Sequence, residues 1–360
     1  MCYFKSTPTE NFRRRFHIIV IMLNKAYIDL SAIRSNALAV KRKLKKTTKL
    51  CAVVKADAYG HGAPKVCSAL HNIADCFAVA TAEEGIELRL SGENKEVLVL
   101  TALFKGDVER AVFYSLTPTV CSTKDVTSLE RECEKQGKNI CVHVKVNTGM
   151  NRQGVEDLEE LERVLKCISR QSRVKLGGAY SHFAFPENKK SLLAQQNKFL
   201  LANNLVKRYN NKAICHISAS GGFLSGVECD MVRIGILLYG YLPFTSDYIS
   251  VKPAMKIYAP VLKSFSLNKG DSALYGKLIA KENLDLSLIR YGYADGLMRK
   301  KTSGQFNNRC MDITAIRLKG KVGELVPVMI NADALAKEYE TISYEILTKS
   351  AFRAEKIYIN

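Results

Sequence analysis

The chain has 360 residues and a formal net charge of +19, from 54 lysines and arginines against 35 aspartates and glutamates. Single hydrophobic cores stop growing near roughly 250–300 residues, so this length predicts two domains. Hydrophobic residues make up 47% of the sequence, but no stretch approaches the roughly 20 uncharged apolar residues that cross a bilayer, which argues against a membrane protein. The basic residues are spread along the chain, which argues against a nucleic-acid-binding protein.

The first 21 residues differ in character from the rest of the chain. The segment FRRRFHIIVIM (12–22) places an apolar stretch after a basic one. The apolar stretch is short and no small-residue cleavage site comes after it, so a secretory signal fits poorly. We expect residues 1–21 to be a tail or a misassigned start, with a cleaved signal as the less favoured alternative.

The eleven cysteines lie at irregular spacing and form no CxxC pair. An odd number of cysteines, several of them inside apolar segments, is typical of reduced, buried thiols and not of a disulfide framework. We therefore expect a cytoplasmic protein with no metal site.

Between residue 49 and about residue 236, short apolar segments alternate eight times with polar segments of helical periodicity. The predicted strands are LCAVVK (50–55), CFAVA (76–80), EVLVLT (96–101), TPTVC (117–121), ICVHVKV (140–146), KLGGAYS (175–181), AICHIS (213–218) and DMVRIG (230–235). Continuous apolar strands are typical of parallel sheets buried on both faces, so eight such units predict an α/β fold of the (β/α)8 TIM-like barrel type. A doubly wound open sheet is the alternative, but no GxGxxG turn follows an early strand.

Beyond about residue 250 the pattern changes to strand-like alternation interrupted by glycine turns, as in LDLSLIRYGYADG (284–296). We predict a barrel domain over residues 22–250 and a mostly β C-terminal domain over residues 251–360. The early segment KAYIDLS (25–31) is also strand-like, and we expect it to join one of these domains before the barrel begins.

Polar residues lie at the carboxyl ends of the predicted barrel strands, where the active sites of such barrels form. Lys55 ends the first predicted strand, Arg152 follows the fifth and His182 ends the sixth. Ser220 follows the seventh strand and Arg233 lies on the eighth. These five residues are the first candidates for an active site.

Lys55 is the candidate for covalent chemistry, although a lysine at a strand end is often only a solvated charge. The segment ADAYGHG (56–62) comes directly after it, and its glycines let the backbone bend close to a ligand. A partly desolvated lysine beside other cations has a lowered pKa and can form a Schiff base with an aldehyde cofactor. The small-residue loops SASGG (218–222) and RIGI (233–236) follow strands seven and eight, where barrels often bind phosphate.

Several segments together resemble the alanine racemases. They are, in chain order, VVKADAYGHG (53–62), KVNTGMNRQG (145–154), SHFA (181–184), MVRIGILLYG (231–240), GYADG (292–296), CMD (310–312) and TISYEIL (341–347). The resemblance runs from residue 22 to the end of the chain. It implies a fold-type III pyridoxal 5'-phosphate enzyme that forms a head-to-tail homodimer, with active sites completed across the interface.

The resemblance assigns the cofactor contacts. Lys55 corresponds to the lysine that carries the cofactor, and Arg233 to the arginine that faces the pyridine nitrogen, with His182 orienting Arg233. A guanidinium stays charged, so it disfavours a protonated ring nitrogen and makes the cofactor a weaker electron sink. The positions that the resemblance places around the phosphate are Tyr59, Ser220, Gly235, Ile236 and Tyr344.

Racemisation needs one base on each face of the substrate's planar α-carbon. The resemblance implies Lys55 for one face and Tyr293, delivered from the partner subunit, for the other. It assigns Arg152 to the cofactor's phenolic oxygen and the substrate carboxylate, and the backbone N–H of Met311 to the same carboxylate. Lys145 matches a position that is carbamylated in many members, where the new anion would steady Arg152.

The resemblance implies an enzyme with a small-molecule substrate, which interconverts L-alanine and D-alanine. The D-alanine would supply peptidoglycan synthesis. A racemase of the same fold that prefers serine, or that has broad specificity, is the alternative, since a methyl or hydroxyl difference is worth only a few kcal/mol. A decarboxylase is disfavoured by Arg233 at the pyridine-facing position. A non-enzymatic cofactor carrier is disfavoured because such carriers resemble the barrel alone.

Overall fold

The computed structural model describes residues 23–104, 106–275, 278–299 and 308–360. They form two compact units, one of Leu30–Ala254 and one in which the segment ending at Asp29 joins Met255–Asn360. The predicted tail, residues 1–21, lies outside the described residues. Over the described ranges, no helix has the length and apolar character that crossing a membrane requires.

The predicted division of the chain differs from these units at both ends. Strand β1, Lys25–Asp29, lies in the unit that contains the C-terminal residues, and the boundary after the barrel falls at Ala254 and not at residue 250. The reason is strand pairing, since β1 bonds to two strands from that later part of the chain. The segment 25–31 is therefore a strand of the C-terminal unit over its first five residues.

The barrel unit contains eight parallel strands, as predicted. They are β2 Lys49–Val53, β3 Cys76–Val79, β4 Val97–Ala102, β5 Thr117–Val120, β6 Ile140–Lys145, β7 Val174–Tyr180, β8 Ile214–His216 and β9 Met231–Ile234. Neighbours in sequence are neighbours in the sheet, and β9 returns to pair with β2. A parallel bridge between Ala219 and Arg233 joins the ends of β8 and β9 and completes the ring. The (β/α)8 barrel is therefore confirmed.

Helices connect these strands. Those of the barrel unit are α1 Leu30–Lys43, α2 Ala63–Leu70, α3 Ala82–Leu90, α4 Asp107–Phe113, α5 Thr123–Gln136, α6 Leu158–Ser169, α7 Lys189–Tyr209 and α8 Ser220–Leu224. Their limits follow local sequence signals. In α5, Ser122 and Asp125 form a reciprocal capping box, and Gly137 ends the helix in the left-handed conformation, with φ of +67°.

The helices pack on the strands through one apolar face each. In α6 the buried residues are Leu161, Val164, Leu165 and Ile168, spaced at i, i+3, i+4 and i+7. Strands β3, β5 and β9 are buried along their whole length, as expected for a sheet covered on both faces. The hydrophobic core therefore lies both inside the barrel and between its strands and helices.

The C-terminal unit is mostly β, as predicted. Its strands after β1 are β10 Met255–Leu267, β11 Ser272–Ala273, β12 Leu278–Ile279, β13 Leu284–Ile289, β14 Asn308–Arg309, β15 Thr314–Ile316, β16 Leu325–Met329 and β17 Glu355–Ile359. The long strand β10 pairs with β1, β13 and β16, so it organises the sheet. Two helices, α9 Ala332–Tyr339 and α10 Ser343–Ser350, precede the last strand.

Candidate active site

Lys55 lies two residues after strand β2 and begins a turn of unusual backbone conformation. Ala56, Asp57, Ala58 and Tyr59 all have positive φ, between +52° and +54°. For residues with a side chain, this left-handed region costs roughly 1–2 kcal/mol each. The turn closes on itself through a hydrogen bond from Gly60 N to Ala56 O at 2.9 Å. Backbone strain of this kind is concentrated at functional sites, and here it comes immediately after the candidate nucleophile.

The surroundings of Lys55 favour a neutral amine. Burial and, next, the positive charge of Arg152 lower the pKa of Lys55, while the negative charge of Glu84 acts in the opposite direction. Arg152 is exposed and lies in the loop after β6. Within the described part of the chain it pairs with no carboxylate, so its guanidinium remains open to an anionic ligand.

Arg233 is almost fully buried, and its two terminal nitrogens are saturated by barrel groups. Nη1 donates to His216 Nδ1 at 2.5 Å and to the His216 carbonyl at 3.1 Å. Nη2 donates to the Ser181 carbonyl at 2.6 Å and contacts His182 Nδ1 at 3.3 Å. None of these contacts uses Nε, so this N–H is left for a ligand at the strand ends.

Two histidines extend this network through the barrel interior. His216 Nε2 and His143 Nδ1 lie 2.9 Å apart, and His143 Nε2 faces the carboxylate of Glu96 at 3.7 Å. Burial, followed by the charge of Arg233, lowers the pKa of His143 to about 3 and also lowers the pKa of His216. Both rings are therefore neutral near pH 7.

The direction of this chain of hydrogen bonds is set by the donor groups. A guanidinium only donates, so His216 Nδ1 must accept and its proton must be on Nε2. His216 then donates to His143 Nδ1, which leaves the His143 proton on Nε2, toward Glu96. Gly178 makes room for the His143 ring, because a Cβ there would lie 2.7 Å from His143 Cε1.

Lys145 lies near the same network, on the inward face of β6. Its Nζ donates to Gln153 Oε1 at 3.1 Å and to the Leu100 carbonyl at 3.4 Å. Burial, followed by the charge of Arg152, lowers its pKa to about 8. Tyr180 lies beside it, with its hydroxyl hydrogen-bonded to Leu100 and its ring stacked on His216. Lys145 is thus a buried lysine that is mostly charged at pH 7 and whose neutral fraction grows as the pH rises through 8.

The predicted phosphate-binding residues of the barrel unit come together. Gly235 N donates to Ser220 Oγ at 3.3 Å. A Cβ at Gly235 would lie 2.6 Å from Tyr59 Oη, so only glycine lets the tyrosine hydroxyl approach this backbone. Ile236 begins the short turn Ile236–Tyr239 directly after this glycine. The result is a small, buried cradle of hydroxyl and amide groups.

The other predicted residues lie in the C-terminal unit, which brings two of them together. Tyr293 N bonds to the Cys310 carbonyl at 3.1 Å, and Ala294 N bonds to the Met311 carbonyl at 2.9 Å. The GYADG and CMD segments are therefore held side by side. Tyr344 lies in α10, where burial raises its pKa to about 12.

The sequence did not single out His216, His143, Tyr180 or Glu84. Histidines within otherwise apolar strands, in ICVHVKV (140–146) and AICHIS (213–218), were the available signal. The sequence contains no direct sign that these two rings touch, because their strands are not neighbours in the sheet. Across the described ranges, no group of three or more His, Cys, Asp or Glu side chains is arranged to hold a metal ion.

Two family models match the chain. The alanine racemase N-terminal domain matches residues 28–243, and the alanine racemase C-terminal domain matches residues 254–358. Among curated proteins, the alanine racemase of Staphylococcus saprophyticus is 33% identical, over 92% of this chain and 93% of that protein. The alanine racemase of Streptococcus uberis is 31% identical, over 93% and 97% respectively.

Solved structures agree with these matches. The alanine racemase of Clostridium difficile 630 superposes with a TM-score of 0.88 at 29% identity, covering 93% of this chain and 95% of that one. The alanine racemase of Bacillus anthracis with bound L-Ala-P gives a TM-score of 0.85 at 26% identity, covering 94% and 95%. Sequence and fold therefore point to the same family over both units.

Proposed function

We propose that this chain, which belongs to the alanine racemase family, interconverts L-alanine and D-alanine with pyridoxal 5'-phosphate bound at Lys55. The observation that carries the proposal is the placement of Lys55 and Arg233 in one barrel, a lysine with a lowered pKa and an arginine whose Nε is left for a ligand. The names of the relatives favour alanine over the serine or broad-specificity alternative.

The residues of the barrel unit fit this cofactor. The cradle of Tyr59, Ser220 and Gly235 offers hydroxyl and backbone N–H groups of the kind that bind phosphate oxygens, and the missing Cβ at Gly235 lets the Tyr59 hydroxyl lie against this backbone. The Ile236 backbone belongs to the same proposed phosphate site, and the family resemblance alone assigns Tyr344 to it. When bound, pyridoxal phosphate withdraws electrons from the substrate's α-carbon and so acidifies the proton there.

Arg233 would face the ring nitrogen through Nε. Because a guanidinium donates hydrogen bonds and cannot accept one, Arg233 at this position would disfavour a protonated ring nitrogen. His182 and His216 hold Arg233 in that orientation through its other two nitrogens. This arrangement would limit how strongly a bound cofactor ring attracts electrons and so would restrain side reactions of the substrate.

Two side chains would move the α-proton. Lys55 Nζ, whose pKa is lowered, takes the proton from one face of the α-carbon. Tyr293 Oη of the partner subunit donates its own proton to the other face, which inverts the configuration. The extra proton on Lys55 and the missing proton on Tyr293 are then restored by exchange with solvent. Arg152 and the backbone N–H of Met311 of the partner subunit, which lies beside Tyr293 in the C-terminal unit, would hold the substrate carboxylate between these two bases.

A head-to-tail homodimer is required by this assignment, because Tyr293 must reach a site in another copy. Large apolar side chains are exposed on the surface of the C-terminal unit, where Met311 is 53% exposed and Phe352 is 84% exposed. Exposed apolar side chains of this kind support a protein–protein interface there. The shared active site can be tested by mixing two variants, Lys55→Ala and Tyr293→Phe, each of which is inactive alone, and refolding them together. Random pairing gives one intact site in about four, and hence about a quarter of the wild-type activity, only if the two residues come from different subunits.

The cellular setting is inferred from family and composition. The ten cysteines of the described ranges are all free, which supports a reducing compartment such as the cytoplasm. We infer that the product, D-alanine, supplies peptidoglycan synthesis, as the family resemblance implies.

The test of the activity is optical inversion of L-alanine in deuterated water with added pyridoxal phosphate, with L-serine in parallel. We expect inversion accompanied by deuterium at the α-carbon, faster for alanine than for serine. Lys55→Ala should abolish both inversion and cofactor capture, whereas Lys65→Ala, an exposed lysine nearby, should leave both intact. Faster turnover of serine would favour the alternative substrate, and inversion by Lys55→Ala would contradict the assignment.

A further inference from the structure

A single carboxylate holds the start of the strained turn after Lys55. Glu84, in the first turn of α3, accepts a hydrogen bond from Ala56 N to Oε1 at 2.7 Å. Its other oxygen, Oε2, accepts from Ala80 N at 2.6 Å and from Thr81 N at 3.4 Å. One side chain thus joins the segments that leave two neighbouring barrel strands, β2 and β3.

We propose that Glu84 is a positioning residue for Lys55, holding the first amide of the left-handed turn and countering the positive charges that surround the lysine. This role rests on the proposed function, because it takes Lys55 as the group that captures the cofactor. It concerns how the amine is placed and charged before any substrate binds.

The hydrogen bonds require a carboxylate. Three backbone N–H groups converge on the two oxygens of Glu84, and both oxygens of an ionised carboxylate accept. A glutamine has one accepting oxygen, and its NH2 group would face one of these N–H donors. Glu84→Gln therefore keeps the shape of the side chain but loses either the Ala56 contact or the Ala80 contact.

The charges around Lys55 give Glu84 a second effect. Arg152 and Lys145 are cations within electrostatic range of Lys55, and His182, whose pKa is lowered to about 3, is within the same range. Arg152 lowers the pKa of Lys55, and Glu84 raises it. Without Glu84 the amine should lose its proton at a lower pH while its position becomes less defined.

Glu83 provides a matched control. It precedes Glu84 in the same helix turn, carries the same charge and pairs with Arg110 at 2.7 Å on the protein surface. It contacts neither Ala56 nor Ala80 in the described structure. Glu83→Gln therefore makes the same chemical change without touching the Lys55 turn.

The experiment measures capture of pyridoxal phosphate by the full chain after the cofactor has been removed. The growth of visible absorbance from the lysine-bound cofactor is recorded at a series of pH values, which yields a pH midpoint for the amine and a plateau rate. For Glu84→Gln we expect the midpoint to fall by about half to one pH unit and the plateau rate to fall about three- to tenfold. Glu83→Gln should match the wild type in both.

A helix-capping role alone would lower the plateau or the stability without moving the midpoint. A wild-type midpoint in Glu84→Gln therefore overturns the inference. If Glu84→Gln does not fold, Glu84→Asp carries the same test, because it keeps the charge but withdraws it by one methylene. Its midpoint should move in the same direction by a smaller amount, and an unmoved midpoint again overturns the inference.

Lys55→Met separates this inference from the proposed function. If that variant still develops the visible absorbance, Lys55 is not the capturing group and the proposed function fails. If it does not, while Glu84→Gln titrates like the wild type, only the role of Glu84 fails.

Discussion

Arg233 and His216 meet at 2.5 Å between Nη1 and Nδ1 inside the barrel, and both side chains are almost completely buried. A buried guanidinium costs free energy unless its donors are satisfied, and His216 supplies two of the acceptors, its ring nitrogen and its carbonyl. Because the carbonyl remains after any substitution of the side chain, the ring contact can be tested alone.

His216→Leu should lower the free energy of unfolding by about 1–3 kcal/mol, because it leaves a donor of Arg233 unpaired in the interior. Chemical denaturation at neutral pH measures the change. The control is His71→Leu, since His71 is partly exposed and only meets Glu93 at 3.1 Å. Equal losses of unfolding free energy in the two variants would mean that the hydrogen bond between His216 and Arg233 does not contribute to stability beyond an ordinary histidine contact.

Two histidines with lowered pKa values, the buried His143 and the part-buried His182, should make the protein sensitive to acid. The pKa values of His143 and His182 are lowered to about 3, and their usual value is 6.5. Between pH 6.5 and about 3 the unfolded chain binds more protons than the folded chain, so stability rises with pH in this window and is lost as the pH falls through it. Each histidine contributes up to about 1.4 kcal/mol per pH unit.

Denaturation curves at several pH values measure this slope. His182→Gln removes one titrating group and should reduce the slope by the contribution of about one bound proton. An unchanged slope in His182→Gln would contradict the buried neutral state of that ring.

Tyr293→Phe should keep the cofactor bound but reduce racemisation by about 10²–10⁴-fold, the usual loss when a general acid–base group is removed. Proton removal should suffer most for the enantiomer whose α-proton faces Tyr293. The measurement is α-deuteration of each enantiomer, with Tyr258→Phe on β10 as the control. Full activity toward both enantiomers would remove Tyr293 from the reaction.

Lys145 should take up carbon dioxide. Only a neutral amine reacts, and a pKa of about 8, below the usual value of 10.5, gives a minor neutral fraction at pH 7 that grows as the pH rises through 8. The carbamate would place a negative charge near Arg152 and relieve the repulsion between the two cations. Carbon-13 NMR with labelled bicarbonate should show a carbamate signal that strengthens with pH.

The signal should vanish in Lys145→Met and persist in Lys175→Met, which alters an exposed lysine of the next strand. A signal that survives Lys145→Met would come from another amine. No carbamate signal at any pH in the wild type would remove the modification from the site.

Gly235→Ala should weaken binding of pyridoxal phosphate by at least about tenfold, because the new methyl group would lie 2.6 Å from Tyr59 Oη and push the hydroxyl out of the cradle. Fluorescence or absorbance titration of the cofactor-free protein measures the affinity. Gly106→Ala is the control, since open space surrounds that position. Unchanged affinity in Gly235→Ala would place the phosphate elsewhere.

The sequence determined the local parts of this protein. Continuous apolar strands alternating with capped helices predicted the eight-stranded barrel, because burial on both faces leaves a pattern within each short segment. The ends of those strands also identified Lys55, Arg152, His182, Ser220 and Arg233 as candidates, since active sites in barrels form at the carboxyl ends. In the structure Lys55, Arg152, His182 and Ser220 lie beyond the ends of barrel strands, and Arg233 lies within β9, one residue before its end.

Only the tertiary structure decided which distant residues meet. Strand β1 joins the C-terminal sheet by pairing with residues more than two hundred positions away. No local sequence pattern shows whether such a strand belongs to the barrel or to the C-terminal sheet. His143 and His216 contact each other across the barrel interior. Glu84, in the helix after β3, accepts a hydrogen bond from Ala56, which follows β2. The left-handed turn after Lys55 has a similar origin, because alanine and tyrosine do not favour that conformation and long-range contacts must hold it.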